Sequence, residues 1–218
     1  MNSNPTGATL DIVSDVVCPW CYIGKQRLRR ALDRLDPAIE LSIRWQPYEL
    51  NLAMPPGGLE RSAYYTAKFG SEAGAANLIA NVTANAHEDG LEMDYSRIAR
   101  VPNTIAAHRL IWYAERTDCQ DAVVDGLFRA YFVEGRNIED NDVLAEIAVA
   151  AGIDSDAVAN LLAGDEGLDI VSQAAKQAHR AGIQGVPAFI FNDRFLFSGA
   201  QSPETIALSI ERAVAKGL

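Results

Sequence analysis

The stretch TLDIVSDVV (Thr9–Val17) runs straight into CPWCYIGKQRLRRALDRL (Cys18–Leu35). The first half is short and rich in β-branched residues, which reads as a strand. In the second half Leu28, Ala31, Leu32 and Leu35 recur at helical spacing. Pro19 suits a first helical turn, where its missing N–H removes no bond, and Pro37 closes the helix. The next segment alternates, with Ile39, Leu41, Ile43 and Trp45 on one side and Glu40, Ser42 and Arg44 on the other, as a strand does. Strand, helix, strand in so short a span predicts a parallel βαβ unit with a right-handed crossover.

Outward from this unit the character changes. After the break at Met54-Pro55-Pro56-Gly57-Gly58, the chain from about Leu59 to Ala181 is alanine-rich with helical periodicity almost throughout. Asn103, Asn141 and Asp154 stand where N-caps are wanted, and no strand of a central sheet is expected here. Strand patterning returns at PAFIF (Pro187–Phe191) and RFLF (Arg194–Phe197), with Asn192-Asp193 as a hairpin turn. Ser202-Pro203-Glu204 then opens a last helix running to about Lys216. The expectation is an α/β fold. One mixed sheet is built from a βαβ half (residues 8–55) and a ββα half (182–218), with residues 56–181 inserted as a helical lobe.

Composition narrows the chemistry. The 218 residues carry a formal net charge of −10, which repels phosphate and argues against nucleic acid or anionic membranes as partners. The first residues lack a basic segment followed by an apolar one, and no apolar run is long enough to span a bilayer, so the expected setting is cytoplasmic. There are three cysteines, Cys18, Cys21 and Cys119. A reducing compartment disfavours a structural disulfide, and a four-thiolate zinc site would need a second pair. No metal and no tightly bound cofactor are therefore expected.

Cys18 and Cys21 sit where the strand meets the helix. At this spacing their Cα atoms lie roughly 5–6 Å apart, within disulfide range. Cys18 would face the orphan N–H groups and positive dipole end of the helix, which favour its thiolate. Cys21, one turn deeper, would be less exposed. The expected division is that Cys18 attacks and Cys21 resolves; an inert core pair or half of a metal site are the alternatives. Trp20 is expected to be partly exposed, and Trp45 and Trp112 to be core. Cys119 reads as an uncoupled thiol, and His87, His108 and His179 have no ligand spacing among them.

The stretch DVVCPWCYIGKQRL resembles the DsbA-like thioredoxin superfamily, specifically its cytoplasmic FrnE-like branch. WQPYELN (Trp45–Asn51), NTIAAHRL (Asn103–Leu110), LFRAYFVEGRNIED (Leu127–Asp140) and GVPAFIFNDRFLFSGAQ (Gly185–Gln201) carry the resemblance through to the last helix. It implies a thioredoxin-like fold interrupted by a helical lobe, and thiol–disulfide oxidoreductase activity on protein or small-molecule disulfides. It also implies that Val186–Pro187 is a cis-proline loop facing the redox pair. Pro19, Trp20, Val186 and Pro187 would then contact substrate, and Asn103 and His108 would line the cleft between lobes. The related 2-hydroxychromene-2-carboxylate isomerases and kappa-class glutathione transferases are similar in the same segments. They carry serine where this chain has Cys18, which disfavours isomerase chemistry and leaves glutathione as a thiol partner. A non-enzymatic reading, a metal-handling or partner-binding thiol module, is the remaining alternative.

Overall fold

The computed structural model describes residues 7–218. The elements follow in the order β1 (Ala8–Ser14), α1 (Pro19–Leu32), β2 (Leu41–Pro47), β3 (Leu59–Glu60), α2 (Arg61–Phe69), α3 (Glu72–Glu88) and β4 (Arg100–Val101). Then come α4 (Ile105–Ala114), α5 (Gln120–Phe132), α6 (Asn141–Ala150), α7 (Ser155–Ala163), α8 (Leu168–Arg180), β5 (Ala188–Phe191), β6 (Arg194–Ser198) and α9 (Pro203–Ala215). The main sheet has the order β2-β1-β5-β6. β1 pairs parallel with β2, from Ala8 opposite Leu41 to Ser14 opposite Pro47, and antiparallel with β5, where Ile12 faces Phe189. The fold is therefore the expected α/β arrangement, a mixed sheet closed by a hairpin. Asn192 and Asp193 both take positive φ, at 45° and 63°, as a tight hairpin turn requires.

Between β2 and β5 the described chain is helical, with no strand of the main sheet. It does contain β3 and β4, a two-residue antiparallel pair joining Leu59 to Val101. The lobe does not stand apart, since α4, α5 and α8 all pack against β2. Among the described residues no helix is long and apolar enough to cross a membrane.

Several boundaries move from their expected places. β1 stops at Ser14, and Val16 and Val17 lie in the turn after it; both are buried, so their apolar character reflects the core and not a strand. α1 ends at Leu32, well before Pro37. The Asp36 carboxylate accepts the Ala38 N–H and its carbonyl accepts the Ile39 N–H, a local turn that competes with helix. That turn also delays β2 to Leu41. The cap of α6 is Asp140, not Asn141. α4 begins after Thr104, although Asn103 Oδ1 still accepts the Ile105 N–H at 3.0 Å. Asp154 caps α7 as expected, accepting the N–H groups of Asp156 and Ala157. Trp45 is core, but Trp112 is only half-buried, with the Arg116 guanidinium 4.1 Å from its ring centroid.

α1, which carries both cysteines at its start, is tied down on three sides. It packs against α9. Lys25, buried, pairs with Asp121 at 2.9 Å and Asp125 at 2.8 Å on α5. Arg27 and Arg30 clamp the buried Asp89 after α3 at 2.6 and 2.9 Å.

Candidate functional site

The turn after β1 delivers Cys18 to the mouth of α1. The Cys18 N–H donates to the Asp15 carbonyl at 3.0 Å, and Cys18 itself is the N-cap, at φ −88° and ψ 114°. Its carbonyl accepts the N–H groups of Cys21 and Tyr22, at 3.0 and 3.3 Å. Cys21 is thus one turn inside the helix and fully buried, while Cys18 retains 4% exposure. Pro19 and Trp20, between them, are the partly exposed members of the motif. All three cysteines are free thiols, with Cys119 in the loop before α5 donating to the Thr117 carbonyl at 3.2 Å.

The other half of the site arrives from the far end of the sequence. The Val186–Pro187 peptide bond is cis, and the Val186 carbonyl lies 3.8 Å from Cys18 Sγ as an acceptor for the thiol. The Pro187 ring rests on α1 at Gly24: a Cβ added there would come within 2.6 Å of Pro187 Cγ. Gly24 is therefore the surface that lets the proline loop close onto the helix, one turn beyond Cys21.

The two sulfurs stand in different environments. Burial pushes the Cys21 thiol well above its usual range, and its hydrogen bond toward Cys18, which favours the protonated form, pushes the same way. Burial also raises the Tyr48, Tyr65 and Tyr95 phenols, and charge on Cys18 adds to that rise in all three. Tyr65 and Tyr95 come from α2 and the segment before β4, and their rings lie 6.5 Å apart.

Asp15 is almost fully buried three residues before Cys18. Its carboxylate accepts the Leu50 N–H at 2.7 Å and the Val17 N–H at 3.4 Å, and lies 3.6 Å from His108 Nε2. His108 Nε2 also lies 3.0 Å from the Tyr48 carbonyl. His108 is therefore packed behind the site, against the acid that shapes the Cys18 turn. Asn103 is placed elsewhere: its Nδ2 donates to the Met54 carbonyl at 2.8 Å and its N–H to Glu139 at 3.1 Å, tying the start of α4 to the segments around both residues. Both side chains hydrogen-bond within the protein. His87 is exposed, and His179 stacks on Tyr48 with ring centroids 4.2 Å apart. Asp15 and Gly24 are the residues beside the pair that the sequence did not single out. No local spacing marks them, because their contacts are made across the fold.

Residues 9–211 match the DSBA-like thioredoxin domain. The chain belongs to the DsbA-like thioredoxin-domain family. A probable DsbA oxidoreductase from Streptomyces coelicolor superposes with a TM-score of 0.85 at 30% identity, over 96% of this chain and 91% of that one. The uncharacterized protein YwbO of Bacillus subtilis is 27% identical over 188 residues, 84% of this chain and 86% of its own length. The fold is shared more distantly, at 17% identity and a TM-score of 0.71, with a 2-hydroxychromene-2-carboxylate isomerase, over 96% and 97% of the two chains. It is shared also with the cytosolic disulfide reductase DsbM of Pseudomonas aeruginosa in a structure with GSH, at 20% identity and a TM-score of 0.66, over 95% and 99%. The structural likenesses cover 95–96% of this chain, the helical insertion included. Among the described residues no group of three or more His, Cys, Asp or Glu side chains has the geometry to hold a metal ion.

Proposed function

We propose that this protein exchanges thiols and disulfides through the Cys18–Cys21 pair, with Cys18 as nucleophile and Cys21 as resolving thiol. What supports the reading is the placement of Cys18 at the mouth of α1, 3.8 Å from the carbonyl before a cis proline, with Cys21 buried one turn deeper. A thiolate at Cys18 gains from the unpaired N–H groups of the first helical turn. It attacks one sulfur of a substrate disulfide RS–SR′, forming Cys18–S–S–R and releasing R′S⁻. Cys21 then attacks Cys18 Sγ, the bond to R breaks, and the Cys21 proton ends on the departing thiol RSH. The substrate is reduced by two electrons and the pair is oxidised to a disulfide; the reverse sequence oxidises a dithiol.

Val186 precedes the cis proline, and the N–H of Val186 has no partner among the described residues. In this reading the Val186 backbone pairs with an extended peptide or with glutathione, and Pro19 and Trp20 form the exposed rim. Asn103 and His108 serve indirectly, by holding the lobe and the Asp15 turn in place. Glutathione is the small thiol partner, in keeping with the neighbouring fold solved with GSH. A cytoplasmic setting accords with three cysteines and one C-x-x-C motif.

Equilibration of the wild-type protein with buffers of reduced and oxidised glutathione tests this. A single two-electron transition confined to Cys18 and Cys21 is expected, with turnover of a protein disulfide abolished in Cys18→Ala. Glutathione-dependent turnover that survives in Cys21→Ala would favour an isomerase or transferase instead. Stoichiometric zinc on the purified protein would favour a metal-handling module.

A further inference from the structure

Ser14 is the last residue of β1, before the turn that leads into α1, and its backbone is in order: its carbonyl accepts the Tyr48 N–H at 3.0 Å. Its side chain is not. Ser14 Oγ is fully buried and, among the described residues, is the one buried side-chain nitrogen or oxygen with no hydrogen-bond partner. Buried hydroxyls are almost always paired, so an orphan beside a reacting group calls for an explanation in that group's chemistry. The group it acts on is Cys21, fully buried in the first turn of α1, where the Ser14 hydroxyl and the Asp15 N–H both favour a charged sulfur. Every other influence on Cys21 opposes charge: complete burial and the neighbouring Cys18.

We infer that the Ser14 hydroxyl is a catalytic hydrogen-bond donor to the Cys21 sulfur, engaged when Cys21 attacks the mixed disulfide on Cys18. The inference rests on the reading of Cys21 as resolving thiol and adds the group that makes its attack feasible from a closed, apolar position. In the dithiol state Cys21 keeps its proton and the hydroxyl stays unpaired. As that proton leaves toward the departing thiol, the Ser14 O–H donates to the developing thiolate, a charge-assisted bond stronger than a neutral one. No electron or atom passes through Ser14. It stabilises the charge for the duration of one step, and the bond lapses when the Cys18–Cys21 disulfide forms.

The test uses the full-length protein and the chromogenic disulfide DTNB in stopped flow. Cys18 attack releases one coloured thiolate, and Cys21 attack on the Cys18 mixed disulfide releases a second, so the two steps are read separately. Ser14→Ala is expected to leave the first release unchanged and to slow the second about ten-fold near neutral pH. The midpoint of the second step's pH profile should rise by about one pH unit. Ser14→Thr, which keeps the hydroxyl, should retain the wild-type profile, and Ser14→Val, of the same shape without it, should follow Ser14→Ala. Coincident profiles for Thr and Val, or a wild-type profile in Ser14→Ala, would overturn the inference even with the proposed function intact. Release of a single thiolate by the wild type would remove Cys21 from the mechanism and the inference with it.

Discussion

At the scale of single residues the two cysteines differ by one helical turn and by what surrounds them. Their spacing and their place at a strand–helix junction were readable from Cys18-Pro19-Trp20-Cys21 alone. Ser14, Asp15 and Gly24 were not, because a residue that works by touching another element leaves no local signal. Gly24 shows how tight that contact is. Gly24→Ala would set a methyl 2.6 Å from Pro187 Cγ, so the proline loop must retreat from α1. The expected result is a loss of about 1–3 kcal/mol in urea unfolding, accompanied by slower disulfide exchange. Cys21 gives a pH prediction. Its raised folded-state pKa stabilises the reduced protein fully below the ordinary thiol value of about 8.5, and that contribution is lost as pH rises toward the folded value. Thermal unfolding of the reduced wild type should therefore fall more steeply above about pH 8.5 than that of Cys21→Ala; parallel curves would contradict the assigned environment.

At the scale of elements, periodicity marked the strands of the main sheet and the helical run between β2 and β5, and it failed where local turns or burial imitate the pattern. Val16 and Val17 extended the apparent β1 because the core needs them apolar, and Asp36 broke α1 and postponed β2 by its own hydrogen bonds. The pair β3–β4 has two residues a side, too few for any period to show. The start of α2 illustrates a cap that sequence leaves open, since Glu is not among the favoured N-cap residues. Glu60 nonetheless accepts the N–H groups of Ala63 and Ser62 and the Ser62 hydroxyl, which pull its pKa down to about 2. The cap is intact above the ordinary Glu value and is lost only as pH falls through about 2. An NMR titration of the Glu60 side chain should give a midpoint near 2 in the folded protein, and a midpoint in the usual carboxylate range would refute the cap.

At the scale of the whole molecule the two halves of the site are sequence-distant, Cys18 at one end and Pro187 at the other, and α1 is the part on which they meet. The order of the halves could be read along the chain. The ties that fix α1 could not, because Lys25, Arg27 and Arg30 look like an ordinary basic helix face until Asp89, Asp121 and Asp125 are brought to them. Asp89 is the most buried of the three acids and serves two guanidiniums. Asp89→Ala strands Arg27 without its partner, and a stability loss of about 3 kcal/mol in denaturant unfolding is expected; a change below about 1 kcal/mol would mean that the clamp is a solvated surface pair.

The most direct test of the mechanism is peptide-mapped mass spectrometry of Cys21→Ala after incubation with oxidised glutathione. One glutathione per chain is expected, attached at Cys18, while the wild type treated alike carries an internal Cys18–Cys21 disulfide and no adduct. An adduct on Cys119, or a wild type that retains glutathione on Cys18 without closing the disulfide, would contradict it.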